Sequence, residues 1–461
     1  MKLNRPKTLL FLLTFLTYLC LSFSYSVVFW DTATFFTNAR VFATGRGFFE
    51  WSLAPFWSAI LAIYPVEVFG RILAALFGVA GALAVYLLGK EMFGERSGIL
   101  AAMLLLLNPV YAAWSSAVYS DVPAFTFMAL AVFTYLKSYK SPKWLYAFGI
   151  LMSFSFLTRY LTILVLIPLF IHLAWKRFGL LRRKEFWLMV PLFVAPIAIW
   201  ILFCWQATGN AMISFIRATW SITAVDIHFG PVYYYIANFP QIYSVFIPFF
   251  IAAFALSKER RRLALPLALF LVFLIILSFT AYKFDRHMIP SFLGFALISG
   301  YGFSELVARK NAFKCLAIAL PILLLPAFVL STQLFQQDNS INGVCAWLEA
   351  GNTDRNAMAI SPWWVYWDYC GQKSTRWYGG DNEFRTSGIR TFQGYIDAYR
   401  VRYAIVSDYD MYPPGVNTSY VSTLANFTLL KKSGSFSMFE YTGGYYGPEL
   451  PLPLEFAFWR S

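Results

Sequence analysis

Charge is scarce in this chain of 461 residues: Asp, Glu, Lys and Arg make up 13% of it, against about 25% in an ordinary soluble domain. Histidine is rarer still, with three in all, and there are five cysteines. No CxxC or HExxH occurs, which removes the common zinc-binding and dithiol patterns. No glycine loop of the phosphate-cradling kind is found, and no tandem repeat, so nucleotide-dependent folds and solenoids have no motif to stand on.

What fills the chain instead is apolar: 59% hydrophobic and 20% aromatic. That composition places it among polytopic membrane proteins. The first apolar stretch, about residues 8–30, follows Lys2, Arg5 and Lys7 but is too long for a signal peptide and ends in "VVFWD" without small residues for cleavage. It reads as a first membrane helix. Further spans are expected at 66–88, 97–114, 122–138, 144–158, 161–175, 186–205, 241–257, 263–281, 288–307 and 313–331, about eleven in total, several of them short for a crossing.

The net charge of +14 suggests nucleic acid until the charges are located. Basic clusters fall between the apolar runs: Lys2/Arg5/Lys7, Lys90/Arg96, Lys137/Lys140/Lys143, Lys176 to Lys184, Lys258 to Arg262, and Arg309/Lys310/Lys314. With the N-terminus in the cytoplasm, an alternating path puts all of them on the cytoplasmic side, and they hold 20 of the 37 Lys and Arg. The nucleic-acid reading then has no motive, and an integral protein of the cell membrane is expected.

From about residue 333 the apolar runs cease. Short strand-like pieces ("AMAIS", "RYAIVSD", "FTLLKKSG", "SMFEYTG") alternate with helix-like ones ("INGVCAWLEAG", "FRTSGIRTFQGYIDAYR"). The expected architecture is an all-α membrane bundle over 1–332 and an α/β domain over 333–461. An odd number of spans places that domain outside the cytoplasm. Sequons at Asn417 and Asn426 agree with that side. Cys345 and Cys370 both fall in the outer domain, where a disulfide would persist; sequence does not decide whether they pair.

Ionisable residues at membrane depth are costly and therefore candidates for function, against the plainer alternative of interfacial snorkelling. Asp31 is the first charge after the first apolar run. The stretch that follows it, "TATFFTNARVFATGRGFFEWSLAPFW", is expected to lie along the interface. Asp121 opens the fourth span with Pro123 behind it, which also suits a helix cap. "AYKFDRHMIPSF" gathers Lys283, Arg286 and His287 in one outer loop, a natural phosphate site. An outer carboxylate and an outer basic cluster suit group transfer from a lipid-linked phosphate, with the carboxylate as base and the cations on the departing phosphate.

Here the chain resembles a known family. Asp31, with the Arg of "NAR" nine residues on and then "TGRG", is similar to the first outer loop of the protein O-mannosyltransferase and aminoarabinose-transferase group. These are GT-C type glycosyltransferases that use polyprenyl-phosphate sugars. The resemblance continues through "GRILAALFGVAGALAVYLLGKEMFG", "NPVYAAWSSAVYSDVPAFTFMALAVF", "FGILMSFSFLTRYLTILVLIPLF" and "RHMIPSFLGFALISGYG", in order over about 20–305. It implies Asp31 as catalytic base and Asp121 as a second acid. Arg71, Arg159, Lys283, Arg286 and His287 are then candidates for the donor phosphate. Two positions depart from the pattern. Thr32 stands where the family has an acid, so no paired-acid motif supports a divalent cation and none is assigned. His287 stands where the family has Tyr.

A second resemblance lies in "SPWWVYWDYCGQK". It is similar to the Trp-Trp-Asp-Tyr-Gly motif of oligosaccharyltransferases, with two extra residues after Trp364 and Cys370 before Gly371. It makes Trp363, Trp364, Trp367 and Asp368 candidates for acceptor binding, against the plainer reading of an aromatic turn that packs the domain. The expected activity is inverting transfer of a hexose or pentose from a polyprenyl (dolichyl-type) monophosphate to a hydroxyl of a protein, lipid or glycan. The alternatives are a flippase of lipid-linked sugars or an oligosaccharyltransferase-like enzyme.

Overall fold

The computed structural model describes residues 5–24, 30–45, 49–223, 230–257, 260–309, 341–350, 354–361, 364–375, 391–407, 417–433 and 436–447. The expected span at 313–331 and the candidate Trp363 lie outside these. The chain forms two compact units. The first comprises Met1–Tyr25, Trp51–Trp57 and Val66–Gln337; the second comprises Ser26–Glu50, Ser58–Pro65 and Asp338–Ser461. Residues 26–50, expected with the membrane part, are thus grouped with the C-terminal unit.

The first unit is a helical bundle. Among the described residues, five helices are long and apolar enough to cross a membrane, or six if a bent pair counts as one span. The chain is an integral membrane protein. The other expected spans coincide with shorter apolar helices such as Asp121–Lys137 and Trp144–Thr158. The first helix, Arg5–Ser24, stops before the expected residue 30, and a separate helix begins at Trp30.

Close helix approach comes from small residues, since in lipid there is no hydrophobic drive between helices and packing must hold them. Glu67–Phe93 and Glu95–Leu107 turn back on one another through Gly94, whose φ of 101° suits only glycine. A Cβ on Gly89 would stand 2.7 Å from the Cα of Gly98, so a side chain at either position would force the helices apart.

The expected span 97–114 is broken. Glu95–Leu107 and Pro109–Ser116 meet at 68°. Asn108 sits at the break, its side-chain oxygen accepting from the Tyr111 N–H at 3.0 Å and its amide donating to the Ile242 carbonyl at 2.9 Å. Pro109 has no N–H to continue the first helix and is preorganised to start the next. The second helix of the pair carries Trp114, and Tyr119 follows three residues after its end.

Ion pairs gather the first three basic clusters at one end of this unit. Glu95 pairs with Lys7 and Lys90, and Glu91 with Lys137 and Lys140. Arg71 and Lys90 lie 19 residues apart on Glu67–Phe93, about 28 Å at 1.5 Å per residue. Asp121 and Lys137 likewise occupy opposite ends of one helix. Arg71 and Asp121 therefore lie at the end of the bundle opposite these basic clusters.

The second unit contains a five-stranded sheet: β1 (Met358–Ile360), β2 (Ser374–Thr375), β3 (Val401–Ser407), β4 (Phe427–Ser433) and β5 (Phe436–Tyr441). Their order is β2-β1-β3-β5-β4. β1 pairs in parallel with β2 and β3, while β5 runs antiparallel between β3 and β4. All four strand-like pieces of the sequence are strands, and "INGVCAWLEA" is a helix. One face buries Phe392, Ile396, Ala404, Val406 and Phe439, and a second cluster holds Leu348, Trp367, Ile405 and Met438. Cys345 and Cys370 are joined by a disulfide with a Cα–Cα separation of 5.2 Å.

Candidate active site

In the first unit the polar end is built by four elements. Asp121 opens Asp121–Lys137 without capping it: the N-cap position belongs to Ser120, and no side chain caps the helix. The carboxylate of Asp121 is fully buried and lies 3.0 Å from a guanidinium nitrogen of Arg159. That replaces the expected helix cap with an ion pair. Arg159 can reach because Trp144–Thr158 ends there and the backbone becomes extended, with φ −157° and ψ 114°.

Arg286 follows Phe284 and Asp285 at the start of a 3-10 turn, Asp285–Ser291. Its guanidinium lies over three rings: Trp114 at 5.2 Å, Tyr119 at 4.5 Å and Phe284 at 4.9 Å. Each face offers the negative side of a ring quadrupole to the flat cation. The side chain is buried, so the cage holds a cation away from bulk water. His287 stands beside the rings of Tyr282 and Phe284, at 5.6 and 5.8 Å.

The remaining basic candidates have other attachments. The Lys283 ammonium donates to the carbonyls of Leu277 and Ser278, each at 2.7 Å, and so caps the C-terminus of Ala264–Phe279. It also lies over the Tyr235 ring at 5.1 Å, and burial lowers its pKa. Arg71 pairs with Glu67 one turn earlier and lies over the Phe23 ring at 5.7 Å. Asp285 accepts from the Tyr234 hydroxyl at 3.1 Å. Burial raises the Asp285 pKa and that hydrogen bond opposes the rise, while Tyr234 is pushed up to about 12, chiefly by burial.

In the second unit Asp31 lies in the first turn of Trp30–Thr44 and is half-buried. Thr32 to Ala39 are all buried, so this helix leaves no broad polar face exposed along that stretch. The Trp-Asp-Tyr segment forms a short helix, Trp364–Tyr369. Trp364 and Trp367 are buried, Trp367 donating to the Ser361 hydroxyl at 2.8 Å. Both rings are packed inside this unit. Asp368 accepts from the Thr37 hydroxyl at 2.8 Å, with Arg40 at 3.9 Å; burial raises its pKa against the pull of both partners.

Sequence reading missed Trp114, Tyr119, Thr37 and the part played by Arg40. The signal for the last two was present: Thr37 and Arg40 are three apart, on one helix face. Their partner is 331 positions from Thr37, which no local pattern reveals. Among the described residues no three His, Cys, Asp or Glu side chains are grouped to hold a metal ion.

The chain resembles GT-C glycosyltransferases in sequence over part of its length and in fold. Residues 54–203 match the family described as dolichyl-phosphate-mannose-protein mannosyltransferase. The fold is similar to that of ArnT from Cupriavidus metallidurans, solved with undecaprenyl phosphate, with a TM-score of 0.70 at 14% identity over 97% of this chain and 100% of that one. It is also similar to the archaeal oligosaccharyltransferase AglB from Archaeoglobus fulgidus, solved with an inhibitory peptide and a dolichol-phosphate. There the TM-score is 0.55 at 12% identity, over 88% of this chain and 70% of that one. A third likeness is to the arabinofuranosyltransferase AftD from Mycobacteria, with a TM-score of 0.56 at 13% identity over 97% and 42% of the two chains. A search of the curated proteins found no match.

Proposed function

We propose that this protein transfers one sugar from a polyprenyl (dolichyl-type) monophosphate carrier to an acceptor hydroxyl on the outer face of the membrane. The observation that carries the reading is the family match over 54–203, a segment that contains Arg71, Asp121 and Arg159. The caged guanidinium of Arg286, in the loop that the resemblance assigns to the donor phosphate, supports it.

The reaction is a single displacement at the anomeric carbon with inversion. The acceptor oxygen forms the new glycosidic bond as the bond to the carrier phosphate breaks, and the electron pair leaves on the phosphate. Asp31 takes the hydroxyl proton late, since a neutral alcohol is too weak an acid to ionise beforehand. Arg286 neutralises the departing phosphate, with His287 beside it. Its worth lies in being preorganised: three rings hold the cation in place before charge develops. Arg159 contributes through its pair with Asp121. Lys283, held on helix carbonyls, adds positive potential, while the charge of Arg71 is balanced by Glu67.

The test compares glycolipids and glycoproteins by mass spectrometry in cells with and without the chain, then follows the product that distinguishes them. Asp31→Asn should leave the protein folded and slow product formation by roughly 10²–10⁴-fold, the range for loss of a positioned base. Asp31→Glu should recover little, because one methylene moves the carboxylate beyond near-attack geometry. No difference between cells with and without the chain refutes the transferase reading. An Asp31→Asn protein at the wild-type rate removes Asp31 from catalysis.

A further inference from the structure

We infer that Thr37 and Arg40, seated on Asp368 and Tyr369, are positioning residues that set where the Asp31 carboxylate stands. The inference rests on the reading of Asp31 as base.

Trp30–Thr44 is held along one stripe. The Trp30 ring meets the Tyr366 ring edge-on at 5.4 Å. One turn later Ala33 packs with Trp364 and Val365. Thr37 donates to the Asp368 carboxylate at 2.8 Å. Arg40 donates to the carbonyls of Asp368 at 2.7 Å and Tyr369 at 3.0 Å, with its guanidinium 5.7 Å from the Tyr369 ring centre. Positions 30, 33, 37 and 40 follow the 3,4,3 spacing of a single helix face. Asp31 is one residue from that stripe, and its charge is felt by the Tyr366 phenol.

The seat itself is fixed from several directions. Arg40 supplies donors to carbonyls that a six-residue helix leaves without intrahelical partners. Cys370, directly after Tyr369, is bonded to Cys345 of Ile341–Ala350. Trp367 is tied to Ser361, Ser374 of β2 donates to the Trp364 carbonyl at 2.7 Å, and Gln372 donates to the Ala357 carbonyl at 2.8 Å. The helix that carries Asp31 therefore docks on a covalently and hydrogen-bonded platform of the sheet unit.

Rigidity of this kind has a direct consequence for a base. A side chain reaches about 6 Å from a helix axis, so a roll of about 10° moves its carboxylate by about 1 Å. A misplacement of about 1 Å costs a rate factor on the order of 10². Packing of Thr32 to Ala39 seats the helix, and the directional contacts of Thr37 and Arg40 fix its rotation on that seat.

The test uses the full chain in membranes of cells that otherwise lack it, following the same distinguishing glycoconjugate as an initial rate per amount of protein. Thr37→Val is isosteric and removes only the hydroxyl bond; Arg40→Lys keeps the charge but loses the two-carbonyl fork. Each should slow transfer by about 10–10²-fold, and Thr37→Ser should recover most of the rate. In an Asp31→Asn background the same substitutions should change the residual rate by less than about 2-fold, since residues that act through one group are non-additive. Equal factors in the two backgrounds mean a general structural role and overturn the inference while leaving the base intact. Full activity of both Thr37→Val and Arg40→Lys overturns it as well. Wild-type turnover by Asp31→Asn alone removes the base and the positioning role together.

Discussion

The pair between Asp121 and Arg159 makes an asymmetric prediction. Asp121 is fully buried, Arg159 is 19% exposed, and the two meet at 3.0 Å. Asp121→Asn keeps an acceptor oxygen for the guanidinium and leaves the remaining cation in touch with solvent. The loss is the charge assistance of one hydrogen bond, about 1–2 kcal/mol. Arg159→Met removes the cation from a carboxylate that water does not reach. Breaking a buried pair in this direction costs about 3–5 kcal/mol. The carboxylate can escape by taking up a proton, but an ordinary Asp at neutral pH pays about 4 kcal/mol for that, so the escape does not lower the cost much. The double variant Asp121→Leu with Arg159→Met replaces both charges by apolar groups and should be more stable than Arg159→Met alone. Denaturant midpoints of the full chain in mixed micelles, read at constant slope, measure all three. An Asp121→Asn protein that loses as much as Arg159→Met, or a double variant no more stable than Arg159→Met, refutes the buried-pair argument. If Asp121 were only a helix cap, both single changes would be nearly silent.

Two further outcomes follow from the proposed function. Arg286→Ala should weaken binding of a polyprenyl phosphate by about tenfold, and Arg286→Lys should restore only part, because an ammonium has neither the flat face for Trp114, Tyr119 and Phe284 nor the bidentate fork. Unchanged affinity in both variants would make the loop an interfacial anchor. If the basic clusters face the cytoplasm, as the positive-inside pattern of the sequence implies, protease added to intact cells should cleave the chain beyond Ile341. Cleavage only after permeabilisation would reverse the topology.

Much of the architecture was legible in the sequence because it depends on local pattern. Apolar runs of helix length produced the bundle, and alternating runs marked β1, β3, β4 and β5 within a residue or two. The break at Asn108-Pro109, with its 68° angle, is also a local event, but the Asn108 amide at the break is held by the Ile242 carbonyl, 134 positions away. The grouping of the first three basic clusters at one end was visible as alternation along the chain, since charge avoids the apolar interior.

The site divides differently. The sequence determined which residues are expensive enough to need a reason: Asp31, Asp121, Arg159, Arg286 and His287 are ionisable groups beside long apolar runs. What each one does was decided by tertiary contact. Asp121, a candidate acid that also suited a helix cap, is held in an ion pair, because Arg159 arrives from the end of another helix. Lys283 looked like a phosphate ligand, and its ammonium turns back onto the carbonyls of the helix before it. Trp364 and Trp367 resembled a recognition motif and form the inside of the sheet unit. The physical reason is range. Hydrophobic periodicity repeats every two to four residues and can be read along the chain. The partner of a buried charge is chosen by whichever donor the fold brings within about 3 Å, and for Asp368 that donor is Thr37, 331 positions earlier.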